Sequence, residues 1–429
     1  MRKTVFMAIE KLKGGGIPRQ LDDIENLISD PIALRKTAER RLAELLEHAC
    51  STTPYYRKYK GSTHLHQFPV IQKQTVRENY PSFFSAAFNK TTLIPTHTSG
   101  SYGTPFTFYL TPEKKSRQLA EVIYFSRWAG YDIGVKHALV RISPKNKLSL
   151  LMQNQIIMNP TNMDERWFER QRNILKRNLI EVIVGFPSVI GPLAEYCRSR
   201  GDHPDNFSLK GILLTGDPLT EAVREKIEQA FGGIVLSRYS TEELGVLAHE
   251  CVAGKKHHLN LGSYVFELLA PDHDRPVAPG EPGRVVVTDL FSHAMPLIRY
   301  ETGDLAILYT GSCSCGLKLP FFERIEGRAV EAVYDPRGGR ISPYAISCSM
   351  QDLNDILQFQ FIQEAEASYT MKLRTLKTFS QQKLVRERLL KILGEDAGLK
   401  IDYVSSIPPL PSGKRPYVIN RHRAVDRQG

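Results

Sequence analysis

The chain has 429 residues, 41% of them hydrophobic and 24% charged, which suits two or three globular domains and excludes extensive disorder. Its formal charge of +11 admits an anionic partner, but Lys and Arg are dispersed without a long run, as on a solvated basic surface. No stretch approaches ~18 consecutive apolar residues, so no membrane span is expected. The N-terminus meets Glu10 and Lys11 before an apolar region accumulates, so no signal peptide is expected either. The six unevenly placed cysteines fit a reducing cytoplasm.

From Pro31 to Ala49 apolar residues recur at helical spacing, and Pro54 ends that helix. Leu93 to Thr111 reads as strand, Gly-rich turn and strand, with Phe106, Phe108 and Leu110 alternating with Thr and Tyr. Residues 113–129 return to helical spacing. Ile180–Phe186 is a short apolar strand leading through Pro187-Ser188 into a helix, and Gly211–Gly216 is a strand entering a turn before a helix at 219–231. Strands alternating with helices predict a largely parallel α/β sheet.

After about residue 233 the pattern changes. Strand-like stretches at 263–269, 284–289 and 304–309, separated by turns such as Pro279-Gly-Glu-Pro-Gly283, predict an antiparallel or barrel-like part. Past Arg328 a small unit follows: strands at 358–363 and 368–373, a helix at 380–393, and a strand at 399–404. The natural boundary falls near 328–332.

Four short motifs carry the chemistry: Thr98-Ser-Gly-Ser-Tyr-Gly-Thr-Pro105, Arg299-Tyr-Glu-Thr-Gly-Asp304, Glu326-Gly-Arg328 and Pro411-Ser-Gly-Lys414. A Gly/Ser/Thr loop after a strand presents N–H groups and hydroxyls that suit a polyphosphate, although no Gly-Lys-Ser/Thr follows as in the usual P-loop. Asp304, in a Gly-Asp turn, can accept both hydroxyl protons of a ribose; taken alone it reads better as a turn aspartate satisfying its own backbone. Lys414, beside the permissive Gly413, can neutralise charge that develops between a carboxylate and an α-phosphate. Cys251, His258, Cys313 and Cys315 can complete a tetrahedral metal site, or can be reduced thiols with a solvated histidine. His249-Glu250 lacks the second histidine of a zinc protease.

In this order the motifs resemble the adenylate-forming superfamily, and within it the phenylacetate-CoA ligase branch with its capsular-polysaccharide-cluster homologues. The resemblance runs from Ala49 to Tyr417. It takes in Pro54-Tyr-Tyr-Arg57, Phe68-Pro-Val70, Gly185-Phe-Pro-Ser188, Pro296-Leu-Ile-Arg-Tyr300 and Cys313-Ser-Cys-Gly316. It implies an α/β fold: a large multi-subdomain adenylation domain, residues 1–328, with α/β layers and a β-rich part, and a small mobile α+β lid, residues 329–429, carrying the catalytic lysine.

The resemblance also implies roles. Thr98, Ser99, Gly100, Ser101 and Gly103 would hold the β- and γ-phosphates of ATP, Gly216 and Asp217 would lie along the adenine, and Tyr239 would stack on it. Within Tyr239-Ser240-Thr241-Glu242-Glu243, spacing from the tyrosine favours Glu243 over Glu242 as the magnesium ligand. Asp304 would bind the ribose, Arg328 the ribose or a phosphate, and Lys414 would catalyse adenylation. Phe186, Pro187 and Thr215 would line the acid pocket. Similar cysteines and a histidine in the branch favour structural zinc at Cys251, His258, Cys313 and Cys315. Tyr102, Phe106 and Val330 depart from the family's usual residues at their positions.

The implied reaction is ATP-dependent activation of a small carboxylic acid to acyl-AMP, then transfer to coenzyme A or to the phosphopantetheine of an acidic carrier protein. The alternatives are acyl transfer to an amine in polysaccharide or antibiotic biosynthesis, and a non-catalytic acyl- or nucleotide-binding module. No nucleic-acid partner is expected, and the expected protein is a cytoplasmic monomer or homodimer.

Overall fold

The structure is a computed structural model of the chain, and it describes residues 2–12, 14–97, 106–309, 311–328, 331–350, 353, 355–376, 378–410 and 413–422. The chain divides into two compact units. The first comprises residues 1–128, 132–134 and 238–324; the second comprises 129–131, 135–237 and 325–429.

The first unit opens with helices Arg2–Leu12, Gly16–Ser29 and Pro31–Thr52. Asp30 caps the third by accepting from the N–H groups of Ile32 and Ala33, with Pro31 at the first helical position. Thr53 ends it just before Pro54, as the apolar spacing predicts. Ile94–His97 and Thr107–Leu110 pair antiparallel, Ile94 opposite Leu110. Helix Pro112–Ser126 follows, capped by Thr111. Tyr264–Leu269, Pro282–Asp289 and Tyr300–Tyr309 are antiparallel neighbours in one sheet, as the strand-like spacing predicts.

The branch motifs of this unit meet one another. Arg299 has a left-handed φ of 51°, a strained conformation for a non-glycine residue. Its guanidinium donates to both carboxylate oxygens of Glu267 at 3.0 Å and to Phe68 O at 2.8 Å. Its carbonyl accepts from Ile71 N–H at 2.9 Å, and Ile71 O accepts from Glu301 N–H at 2.8 Å. The buried hydroxyl of Tyr56 reaches Pro296 O at 3.1 Å. Phe68-Pro-Val70 and Pro54-Tyr-Tyr-Arg57 therefore brace the start of strand Tyr300–Tyr309, which carries Asp304.

The second unit contains the parallel strands, in the order Gly211–Thr215, Val182–Gly185, His137–Val140, Gln155–Met158. Helices Glu165–Arg177, Pro187–Ser199 and Glu221–Phe231 cover them, the first capped by Asp164 and the last by Thr220. Ile183, Leu193, Leu214 and Ile227 are fully buried in the core between; each such side chain is worth about 1.5–3 kcal/mol over exposure.

Residues past 331 fold around a core of their own, including Phe361, Met371, Leu373, Val385 and Leu389. Four strands take the order Gly398–Tyr403, Ser368–Thr375, Ile356–Ala365, Val418–Asn420, the central pair antiparallel and the outer pairs parallel. Helix Gln382–Leu393 packs on them. Within this unit Leu357 joins the core of the parallel sheet, and Arg374 donates to Met163 O at 2.7 Å. Among the described residues no helix is long and apolar enough to cross a membrane.

Candidate active site

In the second unit, strand Gly211–Thr215 ends where Gly216 turns with φ 85°. A Cβ at Gly216 would lie 2.6 Å from Lys414 Cε, 3.0 Å from its Nζ and 3.2 Å from the Phe186 ring. An L side chain would be strained at this positive φ, and its Cβ would push the lysine stem aside. Gly413, with φ 91°, lies against Phe186 and Ile142: a Cβ there would meet them at 3.3 and 3.4 Å. Asp217 Oδ2 accepts from Ser188 Oγ at 2.5 Å. Burial raises the Asp217 pKa, and the Lys414 charge and Ser188 pull against that rise. Phe186, Pro187, Thr215, Gly216, Asp217 and Lys414 are thus brought together. Ser188 and Ile142 join them without a role assigned from sequence; the Gly-Phe-Pro-Ser run was the signal for the first, and no motif marks the second.

The first unit carries a second cluster. Tyr239, on strand Ile234–Thr241, donates from its hydroxyl to Asp304 Oδ2 at 2.6 Å and to Thr302 Oγ1 at 3.2 Å. Asp304 N–H in turn donates to Thr302 Oγ1 at 3.2 Å. Ser240 and Thr241 continue the strand, and Thr241 Oγ1 accepts from Leu244 N–H at 3.2 Å. Glu242 is exposed in the turn, whereas Glu243 is half-buried and accepts from Tyr300 O–H at 3.0 Å through Oε1. Among the described residues no donor reaches its other oxygen, so Glu243 retains a lone-pair face for a cation.

That turn rests on helix Pro112–Ser126. Gln118 Nε2 reaches Leu244 O at 3.2 Å, and Glu121 Oε2 accepts from Val246 N–H at 3.1 Å. Tyr264 O–H donates to Leu244 O at 2.5 Å. Gly245 makes the approach feasible, since a Cβ there would fall 2.6 Å from Glu121 Oε2. Around it, Lys114 pairs with Asp289 at 2.6 Å and Arg117 with Asp23 at 2.5 Å. Burial pushes the Glu121 and Asp289 carboxyls above their ordinary range, and the Lys114 charge opposes that. Sequence reasoning misses this platform because its members lie far apart in the chain.

The first unit also gathers Cys251, His258, Cys313 and Cys315, their ligand atoms within 4.8 Å of one another. Cys251 Sγ lies 3.6 Å from Cys313 Sγ, and Cys315 Sγ lies 3.2 Å from His258 Nε2. Tetrahedral zinc on ~2.3 Å sulfur bonds spaces its ligands about 3.8 Å apart, so the set fits the ion. His258 Nδ1 meets Leu319 O at 3.2 Å, which leaves Nε2 for a metal. Gly254 permits the closure, for a Cβ there would stand 2.4 Å from Cys313 Sγ. Burial and the neighbouring thiols push Cys315 up to about 12, while hydrogen bonds from Cys315 overcome burial at Cys313 and draw it below its ordinary value. A bound cation would draw all three thiols toward thiolate.

Thr98, Ser99, Gly100, Ser101, Tyr102, Gly103 and Val330 lie outside the described residues. Phe106 is buried, edge-on to Tyr80 and Phe108. Arg328 ends strand Phe321–Arg328 in the second unit.

This is the fold of the adenylate-forming ligases. Residues 333–421 match the family described as the CapK C-terminal domain. The chain is 26% identical over 386 residues to phenylacetate-coenzyme A ligase of Thermus thermophilus, covering 85% of each. It is 24% identical over 377 residues to protein CapK of Staphylococcus aureus, covering 83% of this chain and 80% of that one. Among solved structures, 2-hydroxyisobutyryl-CoA ligase in the postadenylation state superposes with a TM-score of 0.74 at 18% identity, covering 91% of both chains. The same ligase in the thioesterification state gives 0.60 at 20% identity, covering 92% of this chain and 91% of that one.

Proposed function

We propose that the chain activates a carboxylic acid with ATP and passes the acyl group to a thiol, coenzyme A being the acceptor its relatives' names favour. The observation that carries this reading is Lys414 Nζ set over Gly216 beside Asp217, at the carboxyl end of a parallel strand. Ligands of open α/β sheets bind at such strand ends.

In the first half-reaction a carboxylate oxygen attacks the α-phosphorus of ATP. The bond from that phosphorus to the β-bridging oxygen breaks, and pyrophosphate leaves with the oxygen. Lys414 would stabilise the charge that spreads over the α-phosphate. Thr98, Ser99, Gly100, Ser101 and Gly103 would hold the leaving phosphates, and Arg328 the ribose or a phosphate. Tyr239 would stack on the adenine, with Gly216 and Asp217 along its edge, and Asp304 would accept from the ribose hydroxyls. Glu243, oriented by Tyr300, would hold magnesium, which supplies charge neutralisation at the phosphates.

In the second half-reaction the thiolate attacks the acyl carbon and AMP leaves. Phe186, Pro187 and Thr215 would face the acyl group. A carrier-protein phosphopantetheine offers the same thiol chemistry. Residues 329–429 would act as a lid that turns between half-reactions, presenting Lys414 only in the first. Zinc at Cys251, His258, Cys313 and Cys315 would tie loops together, with all four positions filled by protein. All six cysteines are free, which suits work in a reducing cytoplasm.

ATP–pyrophosphate exchange against aromatic, fatty and amino acids, followed by thiol and amine acceptors supplied to the best acid, tests the reading. Acid-dependent exchange followed by thioester formation is expected. Exchange with transfer only to amines would replace the acceptor, and no exchange with any acid would leave a binding module.

A further inference from the structure

The lysine loop is anchored from behind by its next residue. Leu410 N–H donates to Lys414 O and Gly413 N–H to Leu410 O, both at 2.8 Å. Arg415 precedes Pro416, whose ring bars the helical backbone at the residue before it. A side chain fixed at 415 limits where its neighbour 414 can point, and Lys414 lies against Gly216.

Arg415 is fixed. It is 4% exposed, its Nε donates to Ile407 O at 2.8 Å, and its Nη2 donates to Pro160 O at 2.6 Å. Pro160 lies two residues past strand Gln155–Met158 of the parallel sheet, and Ile407 N–H is held by Gln358 Oε1 at 3.0 Å. Beyond it, Pro416 O accepts from Gln360 Nε2 at 3.1 Å and Tyr417 O from Phe361 N–H at 2.8 Å. Burial, aided by Arg374 and opposed by the charge of Asp217, lowers the Arg415 pKa to about 10, so the group stays charged at neutral pH. Its hydrogen-bond partners are carbonyls, and Nη1 is buried with no partner among the described residues. A buried charge with an idle donor and no bonded carboxylate is a poor source of stability. The direction it imposes on Lys414 accounts for its place better.

We propose that Arg415 is a positioning residue for the adenylation step, clamping the loop to the end of the parallel sheet so that Lys414 crosses Gly216. This rests on the reading of Lys414 as the adenylating lysine. The fit is specific to the pose seen here, because the carbonyl of Pro160 belongs to the loop that follows strand Gln155–Met158 while Ile407, Gln358 and Gln360 belong to the C-terminal segment. A turn of that segment would break the bonds of Arg415 to Pro160 O and Thr161 O and that of Arg374 to Met163 O, and spare the bond of Arg415 to Ile407 O.

The test compares Arg415→Met, Arg415→Lys and Lys414→Ala in the full chain, with ATP–pyrophosphate exchange and acyl transfer from supplied acyl-AMP to coenzyme A measured separately. Arg415→Met should lower the exchange kcat by roughly 10- to 100-fold, the scale of a side chain misplaced by about 1 Å, with KM for ATP and the transfer rate within about twofold. Arg415→Lys, which can reach one carbonyl, should fall between Met and the parent, and its thermal midpoint reports folding should Arg415→Met fail to fold. Equal losses in both half-reactions, or unslowed exchange in folded Arg415→Met, would overturn the proposal. If Lys414→Ala leaves exchange unchanged, the reading beneath it fails as well; slowed Lys414→Ala with unslowed Arg415→Met removes the positioning role alone.

Discussion

The hydroxyl of Tyr239 donates to Asp304 Oδ2 across 2.6 Å, joining the residue proposed to stack on adenine to the residue proposed to bind ribose. One carboxylate oxygen is thereby oriented before any nucleotide arrives. A hydrogen bond to a charged group contributes about 1.5–3 kcal/mol. Tyr239→Phe keeps the ring and removes this bond, so KM for ATP should rise about tenfold, which corresponds to ~1.4 kcal/mol, with kcat little changed. Steady-state kinetics on ATP check it; an unchanged KM would mean that the pair does not prepare the ribose site.

The three thiols and His258 predict one zinc per chain by elemental analysis, lost in Cys313→Ser. Because the four ligands come from two segments of the first unit that lie far apart in the chain, a chelator should lower the thermal midpoint before it slows pyrophosphate exchange. Metal-free protein with an unaltered melting curve would leave these residues as reduced thiols and a histidine.

Asp202 gives a pH prediction. Its side chain is 2% exposed and is held by Arg172 Nε and Nη2, the latter at 2.8 Å, and by Lys176 Nζ at 2.7 Å. Burial alone would raise its pKa, but Arg172 and Lys176 overcome that and hold it below 3.8. A carboxyl depressed on folding stabilises the native state above its unfolded pKa and loses that contribution as pH falls through the folded value. Asp202→Asn should therefore cost on the order of 2 kcal/mol near pH 7, with the difference shrinking below about pH 4. Denaturant melts of both proteins across that range measure it; a constant difference down to pH 2 would contradict the assignment.

Much of this was legible in the chain. Gly211–Thr215 and Glu221–Phe231 follow from a continuous apolar run, a glycine turn and a Thr cap, each signal agreeing with the next. The antiparallel pair Ile356–Ala365 and Ser368–Thr375 follows from alternation. His137–Val140 and Gln155–Met158 escape because four-residue strands buried in a sheet show no period. Glu165–Arg177 had a usable signal in Asp164, whose carboxylate caps it by accepting from Trp167 N–H at 2.7 Å. Among the candidate residues, the short motifs marked Asp304 and Lys414, the family resemblance marked Gly216, and the Cys-Ser-Cys turn marked the candidate metal ligands. Gln118, Glu121 and Tyr264 stay hidden because their role arises from tertiary contact with residues 244–246. Arg415 stays hidden because a lysine-arginine pair in a loop looks like a solvated surface.

Lys414→Ala tests the central claim most directly when the two half-reactions are measured separately. Loss of a preorganised charge in the transition state should slow acid-dependent ATP–pyrophosphate exchange by roughly 100-fold or more, on the order of 3 kcal/mol. Acyl transfer from supplied acyl-AMP to coenzyme A should suffer far less. Equal loss in both, or exchange that persists at the parent rate, would contradict Lys414 as the residue that makes the adenylate.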